Sequence, residues 1–462
     1  MKRLCSILLS TFLLLSPTAV YANSAQTYFQ GISATGTMVT GEQSPIIVER
    51  ELLTFDLQEF PQDYYGEEAD YLAYSGKVTA EYTFHNPADY DVTAKLAFPF
   101  GQTPDYGYYF NPDTDKRVLA PDAEKYDVLV DGKPIESTVR HTLFYRGEEF
   151  ELEKDLPNLH EDYMEDEFWQ FDTPVTKYSW EISGIREKFD AARLGFWWNG
   201  DETERKLMLM DQTGGENKED KIAVTRWVEN GDIIEVYVFG KPLEKQIEWF
   251  SENGAEDTPF VYTLNFLGEE TMTYEEYVFA DWEENSTVLR NDWYNAVTQN
   301  LKNCEWDFGV LGSFEYGNGL PVDELLRWYE YEIFIPAGGT IVNMVTAPIY
   351  PTMNTRYKPP IYEYTYLLSP AKTWADFGKL DIIVNTPYYM TESGGSFSFE
   401  KTETGYQTSL DGLPDGELTF TLSEDTKPKV PMQSSEVTVC VAVVVAVLAV
   451  FYLERKNRKR DQ

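Results

Sequence analysis

Cysteine is scarce in this chain, with three residues in 462. Cys5 lies in an apolar leading segment and Cys440 in a second apolar run near the other end. Cys304 is therefore alone in the body, and no disulfide can form within it. Exported eukaryotic domains usually carry disulfides, so this pattern favours a bacterium that exports disulfide-free proteins. Histidine is equally rare, also three, which leaves little for zinc or imidazole chemistry. Positive charge is short: 38 Lys and Arg face 78 Asp and Glu, for a net charge of −40. Nucleic acid is thereby excluded as a partner class, because counterion release needs a basic patch. Gly-x-Ser-x-Gly, a phosphate loop and Cys-x-x-Cys are all missing. His160-Glu161 opens a zinc-protease motif, but Met164 stands where its second His belongs.

What is present argues for a folded body. Apolar residues make up 42% and aromatics 15%, which rules out a disordered acidic tail. At about 150 residues per domain, the length accommodates two domains or three.

Both ends read as addresses. Residues 1–22 have the form of a secretory signal peptide: Lys2 and Arg3, an apolar stretch from Ile7 to Leu15, and a small-residue cleavage site at Val20-Tyr21-Ala22. Residues 437–453 run without a charge, mostly Val and Ala, and close on Phe451-Tyr452. As a helix this run spans roughly 25 Å, short of a typical hydrocarbon core by an amount that snorkelling absorbs. Arg455, Lys456, Arg458, Lys459 and Arg460 follow and hold residues 454–462 in the cytoplasm. The expected topology is a single-pass type I protein of the cell membrane with its body outside. Val430-Pro431-Met432-Gln433-Ser434 is a degenerate match to the Leu-Pro-x-Thr-Gly sorting signal of wall-anchored proteins, with Gln433 for Thr and Ser434 for Gly.

Without its ends the body holds 31 basic and 76 acidic residues, a net of −45. Such a body is repelled by a polyanionic wall and stays soluble beside it. Period-2 alternation recurs along it. Val78, Ala80, Tyr82 and Phe84 share one strand face, and Val92, Ala94, Leu96 and Phe98 form the return. Val128 and Val130 lead into the tight turn Asp131-Gly132. Further strands are carried by Ile234-Val236-Val238, Phe260 to Phe266, Ile341-Asn343-Val345, Tyr362-Tyr364-Tyr366, Leu380-Ile382-Val384 and Leu418-Phe420-Leu422. The fold class expected is mainly β, two β-sandwich-like regions with a few short helices, plus one C-terminal transmembrane helix.

Helices are few. Leu289, Trp293, Val297, Leu301 and Cys304 share a helical stripe behind the candidate caps Asn285 and Ser286. That placement makes Cys304 a buried, inert thiol. A shorter helix is predicted from Pro321 to Tyr329. The divisions drawn are an N-terminal β-rich region over 23–285, a helix and C-terminal sandwich over 286–425, and a linker over 426–436.

Lys77 to Phe100, with its Asn-containing turn and closing Ala-Phe-Pro, resembles a family of exported bacterial β-rich proteins. So do Phe334-Ile335-Pro336-Ala337-Gly338 ahead of a strand, and Tyr366 to Ala371 leading to Trp374 and Gly378-Lys379-Leu380. The resemblance covers about two fifths of the chain, implies a β-rich fold and brings no catalytic residues.

Carboxylates are the abundant reactive groups. Ten fall between Glu148 and Glu167, the pattern of a solvated acidic loop. Asn111, Asp113 and Asp115 alternate as the oxygen ligands of a calcium site do, although Lys116 stands where an EF-hand needs Gly. No cofactor is required; calcium is the one candidate. Trp197 and Trp198, inside Phe196-Trp197-Trp198-Asn199-Gly200, are the candidates for stacking on a glycan, against the alternative that both fill the core. The function expected is a non-enzymatic, membrane-anchored extracellular surface protein for recognition or scaffolding of a glycan or protein partner. The alternative is an extracellular glycan-acting hydrolase using a carboxylate pair.

Overall fold

The computed structural model describes residues 28–29, 34–35, 37–39, 44–57, 76–100, 108–111, 116–119, 126–145, 150–185, 192–253, 259–280, 282, 288–312, 325–395 and 397–430. The segments read as signal peptide, membrane anchor and basic tail lie outside these residues, as does the sorting-signal stretch beyond Val430. Among the described residues no helix is long and apolar enough to cross a membrane.

The chain is mainly β, as its alternation predicts. An eight-stranded sheet runs in the order 133–134, 127–130, 340–349, 76–85, 47–56, 376–385, 405–411, 400–401. Across one core it faces a four-stranded sheet (138–142, 326–335, 92–100, 38–39) and a six-stranded one. The six-stranded sheet orders 28–29, 352–354, 361–367, 418–423 and 389–393, with 34–35 on the 361–367 strand. Val78, Ala80, Tyr82 and Phe84 point into this core, as do Leu96, Phe98, Tyr364 and Phe420. Each such fully buried large side chain contributes about 1.5–3 kcal/mol relative to exposure. The Asp131-Gly132 turn takes positive φ at both residues (48° and 73°), the geometry a two-residue hairpin demands.

A second unit is inserted between Thr142 and Leu326. Those two residues are opposite one another at the end of the antiparallel pair Thr138–Thr142 and Leu326–Ile335, so the chain departs and returns side by side. The inserted unit has a five-stranded sheet (263–273, 174–183, 233–240, 205–209, 310–311) and a four-stranded one (214–218, 221–227, 192–198, 249–253). Between them lies a core of Ile182, Leu194, Phe196, Leu207, Val224, Ile234, Val236 and Val238. The other face of the five-stranded sheet, with Val175, Met208, Tyr237 and Phe239, is covered by the helices Tyr274–Val278 and Arg290–Asn303. Thr273 and Glu276 form a reciprocal capping box on the shorter helix.

Two expectations change. The boundary drawn at 285/286 does not divide two sheets: strand Gly76–His85 pairs with Thr340–Ile349, and Ile47–Asp56 pairs in parallel with Asp376–Asn385. The helix expected from Pro321 to Tyr329 is instead the start of strand Leu326–Ile335, with 321–324 outside the described residues. Leu326 and Trp328 bury on one face of that strand while Tyr329 and Tyr331 bury on the other. A strand buried on both faces reads as a continuous apolar run, which periodicity cannot tell from a helix. The Arg290–Asn303 helix forms as predicted, but Leu289 occupies its cap position in place of Asn285 or Ser286.

A bulge in strand Ile47–Asp56 has a larger consequence. The register shifts between Val48 and Arg50, which reverses the alternation. Val48 points inward, and after the extra residue Glu51, Leu53 and Phe55 do. Gly378 on the neighbouring strand lies against the bulge, where a Cβ would sit 2.3 Å from the Glu49 carbonyl oxygen.

Candidate functional site

The site is built on segment 159–173, a stretch of turns laid over the Arg290–Asn303 helix. Asn291 and Asn295, one turn apart, fix its backbone. Asn291 Nδ2 donates to Glu161 O at 3.1 Å, and Asn295 Nδ2 donates to Asp162 O at 2.9 Å. Asn295 Oδ1 accepts from Met164 N at 2.7 Å, and Tyr294 OH donates to Trp169 O at 2.7 Å. Asp166 closes the turn: its Oδ1 accepts from Phe168 N and Trp169 N at 2.9 and 3.1 Å, and its Oδ2 accepts from Lys302 Nζ at 2.7 Å. Burial disfavours its carboxylate, yet the Lys302 ammonium and the two N–H groups together hold it below the usual range.

Most of residues 162–171, with Tyr294, line an open pocket of about 730 Å³. Its aromatic wall is ordered. The Tyr163 and Phe171 rings lie 5.0 Å apart at 77°, Tyr163 and Tyr294 5.3 Å apart at 85°, and Phe171 and Tyr294 4.9 Å apart at 49°. Tyr294 is buried, whereas Phe171 is 37% exposed. Asp162, Glu165 and Glu167 complete the rim, and among the described residues none of the three is ion-paired. The acidic run was legible in the sequence; the pocket was not, because it depends on Asn291 and Asn295 more than a hundred residues away. The available signal was the interleaving of Tyr163, Phe168, Trp169 and Phe171 with those acids.

The sites expected from sequence are placed elsewhere. Trp197 and Trp198 sit on strand Ala192–Trp198 and point to opposite faces of its sheet, so they do not make one platform. Trp198 lies against the inner core and donates from Nε1 to Phe308 O at 3.0 Å. Trp197 points outward, but Lys218 Nζ stands 3.8 Å from its ring centroid and Lys221 Nζ 5.1 Å, so a sugar would have to displace them. Asn111 ends strand Tyr108–Asn111 opposite Lys116; Asp113 and Asp115 lie outside the described residues. Among the described residues no group of three His, Cys, Asp or Glu side chains could hold a metal ion. Cys304 caps the helix C-terminus half-buried, and burial pushes its thiol up.

Two further ionisable clusters are sealed from solvent. Glu51, 1% exposed, accepts from Tyr366 OH at 3.3 Å, and Tyr366 OH lies 3.4 Å from Tyr82 OH. Burial pushes its carboxyl up to about 7, against the opposing hydrogen bonds of Tyr82 and Tyr366. The second cluster joins the two units. Arg140 grips Asp292 through Nε and Nη2 at 2.8–3.1 Å, reaches Glu330 at 3.3 Å through Nη1 and donates to the His160 carbonyl. Asp292 also accepts from His141 N at 2.8 Å. Burial pushes the neighbouring His141 imidazole down to about 4, and the charges of Arg327 and Arg140 add to that effect.

The fold and pocket together define a β-sandwich protein that carries a second sandwich as an insertion, with an acidic, aromatic-lined pocket on the inserted unit. No family model matches the chain, and no curated protein does. Among solved structures, a candidate nutrient-binding protein from Legionella pneumophila aligns over 86% of this chain and 72% of its own, at 10% identity and a TM-score of 0.34. Likeness at that level carries neither activity nor ligand to this chain.

Proposed function

We propose that this chain is an exported surface protein, tethered to the cell membrane through residues 437–453, whose body binds a ligand without transforming it. The anchoring rests on the signal-like and anchor-like patterns of the two ends. The binding reading rests on one observation, the 730 Å³ pocket of segment 162–171 and Tyr294, braced by four helix side chains. That volume falls in the range of small-molecule sites, and bracing before the ligand arrives lowers the ordering cost of binding. A hydrolase needs one carboxyl raised towards neutrality at the site. Two carboxyls are raised by burial, Glu51 in the first sandwich core and Asp292 against Arg140, and neither lines the pocket, whereas Asp166 in the pocket is lowered. Calcium at Asn111, Asp113 and Asp115 is proposed on their alternation in the sequence alone.

A thermal-shift screen of a metabolite library against the full-length protein tests this reading. The expected result is a ligand-dependent rise in Tm that Phe171→Ala removes. Release of reducing sugar from a glycan substrate, lost in Glu165→Gln, would replace it with the hydrolase reading.

A further inference from the structure

Resting on that reading, we propose that the pocket takes a small organic cation bearing apolar groups, of the quaternary ammonium class. The three acids at the rim, Asp162, Glu165 and Glu167, have no ion-pair partner among the described residues, while Lys302, on the helix beneath, is consumed by Asp166. An anion therefore meets a net repulsion there, and the chain's net charge of −40 favours cations at the mouth.

Carboxylates alone would hold any hydrated cation; the rings select among them. Aromatic faces attract a cation through their quadrupole, and most strongly one whose weak hydration costs little to remove. This protein already uses that attraction internally next to the pocket. The Arg290 guanidinium lies 3.6 Å from the Phe279 centroid, and Lys206 Nζ lies 4.8 Å from that of Phe168. Among the described residues no cation of the protein's own lies over Phe171 or Tyr163, the two accessible rings of the pocket. Their near-perpendicular setting at 5.0 Å forms a corner, and Met164 adds a polarisable wall for alkyl groups.

The test compares choline with its uncharged carbon isostere, 3,3-dimethylbutan-1-ol, by calorimetric titration of the full-length protein. Choline is expected to bind at least about tenfold more tightly than the isostere, and Phe171→Ala to weaken it by about tenfold. Phe171→Tyr, which keeps a ring, should retain binding, and an unchanged circular dichroism spectrum and Tm of ligand-free Phe171→Ala show that its loss is not a folding defect. The double variant Glu165→Gln, Glu167→Gln should weaken choline and flatten its dependence on salt. Equal affinity for choline and isostere overturns the cation assignment. So does choline binding that is indifferent to Phe171→Ala. If a neutral or anionic compound from the library binds instead, and Phe171→Ala abolishes it, the cation assignment fails while the binding reading stands. If no compound of any class binds in a Phe171-dependent way, both fail.

Discussion

Replacing Glu51 by Gln should stabilise the protein, and by an amount that depends on pH in one particular way. Glu51 is enclosed in the core of the first sandwich, where burial pushes its carboxyl from an ordinary 4.5 up to about 7. The folded state thus holds the proton more tightly than the unfolded state, and stability falls as pH rises between those two values. Below 4.5 both states are protonated and nothing is lost; above 7 the full cost of a buried carboxylate is present. At about 1.4 kcal/mol per pKa unit, that cost is about 3 kcal/mol at pH 8 and about 1 kcal/mol at pH 5.5. Gln has the shape of the protonated acid, keeps an acceptor for Tyr366 OH and does not titrate. Its advantage over the natural residue should grow by about 2 kcal/mol between pH 5.5 and pH 8. Urea denaturation followed by tryptophan fluorescence at the two pH values measures it. The comparison stays above pH 5 because the isoelectric point is about 4.3, where proteins precipitate. An advantage of the same size at both pH values, or a less stable variant at pH 8, would refute the reasoning.

Three other outcomes are expected. Asp292→Ala leaves Arg140 buried without its carboxylate and should cost about 3–5 kcal/mol, seen as an earlier urea midpoint for both units. Gly378→Ala forces a Cβ against the Glu49 carbonyl oxygen at 2.3 Å and should lower stability by at least about 1 kcal/mol, read by calorimetry. Cys304 should react with iodoacetamide at pH 7.5 several-fold more slowly than a free cysteine, because burial raises its thiol; peptide mass spectrometry gives the rate.

The strands were legible where one face is buried. Val78 to Phe84, Val92 to Phe98 and Tyr362 to Tyr366 alternate in sequence and point into the core as read. Pairing was not legible, because partners such as Ile47–Asp56 and Asp376–Asn385 are joined only after the whole insertion has intervened. Local pattern therefore yielded the two-sandwich content but put the division at residue 286. Glu51 escaped notice for a different reason: a carboxylate flanked by Arg50 and Glu49 reads as surface until the one-residue bulge turns it inward. Trp197 and Trp198, as neighbours on one strand, fall on opposite faces, yet nothing in the sequence brings Lys218 to the outer ring, since that approach comes from the neighbouring hairpin.

The nested connection also fixes an order in time. The described strands of the inserted unit all come from residues 174–311, so their sheets can be completed while the chain is still being made. The first sandwich cannot follow that schedule. Gly76–His85 must wait for Thr340–Ile349, and one edge of Ile361–Leu367 for Leu418–Ser423. During synthesis the half-made sandwich exposes Val78, Tyr82, Phe84, Leu96 and Phe98, an interval in which aggregation competes with assembly. Strands made before the insertion are therefore completed after it, and their sandwich closes only as Leu418–Ser423 arrives.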